Sequence, residues 1–192
     1  KSFKKIFILC GKNSFVTSGA FKLFKKIKNK ETTFFYKKSE IPILEELTEI
    51  INKIKSFKPD LFLAIGGGAV IDYAKMANVL EVRPDIAELI VNYSYPFKKK
   101  YTKLAVVPTT AGSGAEVTSN AVIYVDGIKH SFESKILIPD DFFLVPDFII
   151  SAPYKIKASA GFDAIAQALE SLVSRKSNEQ SVEYAWKSLK IS

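Results

Sequence analysis

Leu61-Phe62-Leu63-Ala64-Ile65-Gly66-Gly67-Gly68-Ala69-Val70-Ile71-Asp72 is the stretch on which the fold turns. Its unbroken apolar run, 61–65, reads as a strand buried on both faces, and the glycines lead straight into a segment of helical spacing from Ala69 to about Leu80. A strand that ends in glycine and opens a helix gathers unpaired backbone N–H groups at the positive end of the helix dipole, with no Cβ to hold a phosphate away. That is a cradle for the phosphates of a dinucleotide, although a glycine run also serves as a plain tight strand-to-helix turn. The spacing is not the G-x-G-x-x-G of the usual dinucleotide fingerprint, which indicates a different nucleotide-binding family.

The same alternation continues on either side. Upstream, residues 5–10 (KIFILC) read as a buried strand, 11–14 as a turn, and 18–28 as a helix with Ala20, Phe21, Phe24 and Ile27 on one face. Residues 32–36 (TTFFY) are β-rich, and 43–57 place Leu44, Leu47, Ile50, Ile51 and Ile54 at helical spacing before Pro59-Asp60 ends the segment. Downstream, 103–107 form a further strand, 122–125 and 131–138 a hairpin region turning at Asp126-Gly127, and 143–145 another short strand. Short hydrophobic strands alternating with helices predict an α/β, Rossmann-like parallel sheet with helices on both faces.

Composition narrows the function classes. At 192 residues, 47% hydrophobic and 25% charged, the chain can bury a core and is not disordered. Its longest apolar runs fall far short of the roughly 20 residues that span a bilayer, so no membrane association is expected. Cys10 is the only cysteine, which excludes an intrachain disulfide, suits a reducing cytoplasm and is read as a packed core residue. The net charge of +8 raises the question of nucleic acid. The lysines are scattered, however: Lys22, Lys25, Lys26, Lys28 and Lys30 follow one helical segment, Lys98, Lys99 and Lys100 lie in a loop, and none interleaves with aromatics as a stacking platform requires. Nucleic acid is therefore not an expected partner.

Two further segments carry chemistry. Pro108-Thr109-Thr110-Ala111-Gly112-Ser113-Gly114-Ala115-Glu116-Val117-Thr118 follows a strand directly, where α/β sheets place ligand-contacting loops whose hydroxyls bond phosphate or ribose. In Gly161-Phe162-Asp163-Ala164-Ile165-Ala166-Gln167-Ala168-Leu169-Glu170-Ser171, Asp163 and Gln167 project from one helix face with Glu170 near it. Such a pair is able to share a cation; equally, Asp163 is a solvent-facing or capping residue.

Taken together, 66–75 resembles GGGSxxDxAK, 108–118 resembles PTTAGTGSEVT and 161–171 resembles GxDALTHAIEAY, the motifs of the iron-containing (group III) alcohol dehydrogenase superfamily. The resemblance implies an N-terminal NAD(P)-binding domain, residues 1–150, and the beginning of a helical metal and substrate domain, 151–192, truncated here. It implies that Gly67, Gly68 and Ala69 hold the pyrophosphate with Asp72 close by, that Thr109, Thr110, Ser113, Thr118 and Asn120 line the cofactor cleft, and that Lys129 contacts the cofactor. It makes Asp163 a metal ligand, with Gln167 standing where the family has a histidine. No catalytic residue is assigned, and His130, the only histidine, is expected at the surface.

The implied activity is a metal-dependent NAD(P) oxidoreductase, with Fe²⁺ or Zn²⁺, that interconverts a small alcohol and its aldehyde or ketone, working as a homodimer or higher homo-oligomer. The chain by itself is expected to be inactive. NADP is expected to be tolerated through Lys12, because residues 11–14 offer no carboxylate to repel a 2′-phosphate. Alternative readings are a dehydroquinate-synthase-like sugar-phosphate enzyme and a non-catalytic dinucleotide-binding module.

Overall fold

The computed structural model describes residues 3–24 and 29–191. Its elements run β1 (Lys5–Gly11), α1 (Lys12–Thr17), α2 (Ala20–Phe24), β2 (Glu31–Lys37), α3 (Leu44–Phe57), β3 (Leu61–Gly66), α4 (Gly68–Ala77), α5 (Ile86–Val91), β4 (Lys103–Pro108), β5 (Asn120–Val125), β6 (Ile128–Glu133), β7 (Asp141–Phe142), α6 (Pro146–Ile150), α7 (Tyr154–Val173) and α8 (Glu179–Ile191). The main sheet is parallel, in the order β2-β1-β3-β4-β7, and β5 and β6 form a separate antiparallel pair. This is the α/β, Rossmann-like architecture that the alternating pattern predicts.

The pleat sorts each apolar strand between two cores. Phe7 and Leu9, Phe62 and Ala64, and Leu104 and Val106 face the core filled by α3 and α4. Ile6, Ile8 and Cys10, with Leu63, Ile65, Ala105 and Val107, face the other, against Phe15, Ala20 and Phe148. Both faces are covered, which is why these strands are apolar without alternation. Each such large side chain contributes about 1.5–3 kcal/mol by leaving water. In register, Cys10 stands beside Ile65 and Gly66 beside Pro108, so the strands end together. β1 joins β2 on one side of the sheet and β3 joins β4 on the other, and the order therefore switches between β1 and β3. A crevice opens at that point, beyond the carboxyl ends of the strands.

Several boundaries differ from the sequence reading. The expected turn at 11–14 is the entry to α1, and the helix expected from residue 18 starts at Ala20, after Gly19 at φ +80° separates it from α1. Residues 25–28, with Lys25, Lys26, Ile27 and Lys28, lie outside the described residues. Asp126 and Gly127 do form the hairpin turn, both at positive φ (50° and 76°), and a two-residue turn starts the return strand at Ile128 instead of Ser131. Residues 135–137 are a 3₁₀ turn. The last strand sits at Asp141–Phe142 instead of 143–145, because the Asp140 carboxylate accepts the Leu104 N–H at 2.8 Å and sets the register beside β4.

His130 is buried, not at the surface. Alternation along β6 turns His130 and Phe132 inward, and the His130 ring lies 5.6 Å from that of Tyr93. Both of its ring nitrogens lack a hydrogen-bond partner. Among the described residues no helix is long and apolar enough to cross a membrane.

Candidate functional site

A cavity of about 680 Å³ occupies the crevice at the β1–β3 switch. Residues 11–14 at the end of β1, 36–40 at the end of β2, Gly67 after β3, and Thr109 and Thr110 after β4 line it; Phe148, Pro153 and Ile156 close the far side. Its size and position are those of a cofactor cleft.

The floor is the amino end of α4. Gly67 caps that helix with no side-chain hydrogen bond, and the first intrahelical bonds run from Val70 (2.9 Å) and Ile71 (3.2 Å) to the Gly67 carbonyl. The N–H groups of Gly68 and Ala69 come before that ladder begins, and no cap covers them. Gly67 has φ −77°, so backbone freedom is not what glycine supplies here. Clearance is. A Cβ on Gly67 would lie 3.3 Å from Thr110 Oγ1, and one on Gly68 3.2 Å from Ser113 Oγ. The loop after β4 is drawn onto the cradle by the Thr109 N–H, which donates to the Gly66 carbonyl at 3.0 Å.

The remaining cofactor candidates gather beside the cradle, not along the cavity wall. Lys75, the last residue of the 66–75 motif, is fully buried and donates to the Thr118 carbonyl (2.8 Å), Thr118 Oγ1 (3.1 Å) and the Asn120 carbonyl (2.8 Å). Asp72 accepts the Val122 N–H and faces Lys75 and Lys129. Burial pushes the Asp72 carboxyl up to about 6 against the pull of Lys75 and Lys129, and burial lowers Lys75 to about 8 against the pull of Asp72 and Glu116. Thr118 and Asn120 thus hold the β4–β5 loop to α4 through Lys75. Cys10 is no nucleophile, since burial pushes its thiol up to about 12.

Asp163 and Gln167 do stand on one face of α7, where the Gln167 amide donates to Asp163 Oδ2 at 2.9 Å and both are exposed. Among the described residues no three His, Cys, Asp or Glu side chains converge. A pair of oxygen donors without imidazole, one already accepting a hydrogen bond, does not by itself fit Fe²⁺ or Zn²⁺, which take three or four protein ligands. The contact that brings α7 to the site is Gly112, where a Cβ would lie 2.2 Å from the Ala160 carbonyl oxygen. The sequence gives one signal for it, a glycine between small residues after a strand.

The family model described as iron-containing alcohol dehydrogenase matches residues 1–150. Among characterised relatives, 1-propanol dehydrogenase of Citrobacter freundii is 33% identical over 140 residues, covering 72% of this chain and 34% of that protein. Among solved structures, an iron-containing alcohol dehydrogenase of Thermotoga maritima superposes with TM-score 0.85 at 26% identity, over 98% of this chain and 53% of that one. Sulfoacetaldehyde reductase of Bifidobacterium kashiwanohense, solved with NAD⁺, superposes with TM-score 0.78 at 28% identity, over 88% of this chain and 46% of that one. The chain thus spans about half the length of these solved relatives.

Proposed function

The chain belongs to the iron-containing alcohol dehydrogenase family, and on that premise we propose that residues 1–150 bind NAD(H) or NADP(H) as hydride carrier for the interconversion of a small alcohol with its aldehyde or ketone. The observation that carries this reading is the cavity over the β1–β3 switch with the uncapped amino end of α4 as its floor. Gly67, Gly68 and Ala69 receive the pyrophosphate on main-chain N–H groups, and the Thr109 and Thr110 hydroxyls bond phosphate or ribose oxygens. Ser113 sits against the cradle, and Asp72, Thr118, Asn120 and Lys129 support it from the side. Lys12 lies on the cavity wall and leaves room and charge for a 2′-phosphate, so NADP(H) is bound as well as NAD(H).

The hydride carrier is half of the reaction. The alcohol must also lose a proton and its alkoxide must be stabilised, a task that a divalent metal performs as a Lewis acid. Asp163 and Gln167 offer too few donors for that, and residues 1–192 by themselves should give no detectable NAD(P)H from alcohols when supplied with Fe²⁺ or Zn²⁺; clear metal-dependent turnover would overturn this placement of the site.

Titration calorimetry with Gly68→Val tests the binding reading. A valine side chain would fill the place where the phosphate approaches and crowd Ser113. Affinity for NADH should fall roughly 100-fold, about 2.7 kcal/mol. Unchanged affinity in the folded variant rejects the cradle.

A further inference from the structure

Tyr73 and Glu46 are almost completely buried, and neither lines the cavity. Tyr73 stands on α4 just beyond the cradle, and Glu46 stands in the first turn of α3. Together they hold the chain that leaves β2. Glu46 Oε1 accepts the Lys38 N–H at 2.6 Å, and Oε2 accepts the Ser39 N–H at 2.9 Å and the Tyr73 hydroxyl at 3.0 Å. The Tyr73 oxygen in turn accepts the Ile43 N–H at 2.7 Å. Lys37 closes the same turn by donating to the carbonyls of Ser39 and Glu40. Residues 36–40, tied in this way, are one wall of the cavity.

A buried carboxylate is costly unless hydrogen bonds replace its water. Burial alone would raise the Glu46 carboxyl, but the bonds from Lys38, Ser39 and Tyr73 hold it below the usual carboxylate range. In a doubly wound sheet a dinucleotide lies across the crevice at the switch point, with its pyrophosphate on a helix amino end and its adenosine ribose at the end of a neighbouring strand, so phosphates on α4 leave the β1 and β2 side of the cavity for the adenosine half. Here that half faces residues 11–14 and 36–40.

We propose that Tyr73 and Glu46 are positioning residues for the adenosine half of the dinucleotide, an inference that rests on the reading of the cavity given above. They touch no ligand and act through the main chain of Lys38 and Ser39. Because α4 carries both the phosphate cradle and Tyr73, one helix fixes the distance between the phosphate subsite and the adenosine subsite.

Tyr73→Phe removes the hydroxyl bridge and keeps the ring. The probes are NADH, ADP and nicotinamide mononucleotide, with near-ultraviolet circular dichroism to certify the fold. Affinity for NADH and ADP should fall roughly tenfold, the size of one lost hydrogen bond to a charged group, while affinity for the mononucleotide stays within about twofold. A merely structural role would lower the melting midpoint and leave the ADP affinity of the folded protein intact, and that result overturns the proposal. Should Tyr73→Phe fail to fold, Glu46→Gln is judged by the same ratio. Should both fail, hydrogen exchange on the unmodified protein decides: slower exchange of the Lys38 and Ser39 amides with ADP supports the proposal, and unchanged rates overturn it. If the unmodified protein binds neither NADH nor ADP, the dinucleotide reading itself falls; if it binds both and the variants bind equally well, only the positioning role does.

Discussion

α4 and α7 both meet the loop after β4, and they are opposite in kind. From Val70 onward almost every residue of α4 is buried, and its side chains reach across to β5, to α3 and to the main chain of two loops. On α7 Ala168 alone is buried, while Phe162 and Val173 are 74% and 83% exposed. Packing and hydrogen bonds on every side fix the position of a group on α4. Nothing comparable fixes Asp163 and Gln167, whose one bond is to each other. The difference teaches that the amino end of α4 is held rigidly from every side, as a binding site requires, whereas the oxygen donors of α7 stand on an exposed helix surface.

The widest gap between the helices should appear in ligand affinity. Asp163→Ala should leave NADH affinity within about twofold, against the roughly 100-fold loss set out for Gly68→Val. A large loss in Asp163→Ala would place the reacting end of the cofactor on α7 and break the contrast. The next effect is on stability. In Gly112→Ala the new methyl meets main-chain atoms of Ala160, so the loop or the helix has to move, at a cost of about 1–3 kcal/mol in urea unfolding. Gly161→Ala, where nothing lies within 4 Å, should be neutral or stabilising by up to about 1 kcal/mol, as expected for alanine in a helix.

The cluster beside α4 should reveal itself through pH. Burial moves the Asp72 carboxyl from an ordinary 3.8 up to about 6, so the folded state keeps a proton that the unfolded chain has already lost. Wild-type stability should therefore fall as pH rises from about 4 to about 6, and Asp72→Asn, which keeps an acceptor for the Val122 N–H, should lack that part of the fall. Denaturant unfolding across that range reads the difference; parallel curves would show that Asp72 is not desolvated. The smallest change concerns the hairpin beside α4. His130→Phe replaces a ring whose two nitrogens are unpaired with one that has none, and should raise stability by about 1 kcal/mol.

The parts of this molecule legible in the sequence are those whose cause is local. The run from Leu61 to Asp72 carries its strand, turn and helix within itself, and Asp126-Gly127 announces a hairpin from two residues. The motif segments are legible as well. What joins them is not: Lys75 reaches Thr118 and Asn120, Tyr73 reaches Ile43, and Gly112 abuts Ala160, contacts between residues dozens of positions apart that no spacing rule encodes. β6 misleads for a different reason. Its Ile128 is 64% exposed while its His130 is buried, so polarity points the wrong way and the register set by the turn decides. Thr118 and Asn120 hold Lys75 through two main-chain carbonyls and a hydroxyl, a scaffold contact that the motif does not announce, since a motif marks which residues recur together and not what each of them touches.

Cys10 offers a use of the fold as its own clock. It is the only thiol in the chain, it lies on β1, an interior strand of the main sheet, and burial leaves it unionised at any ordinary pH. An aromatic disulfide reagent should find it only when the sheet opens, so the rate of labelling counts opening events. Any compound that occupies the cavity holds the closed form by mass action and should slow the count in proportion to its occupancy, without chromophore, turnover or metal being needed to see it bind.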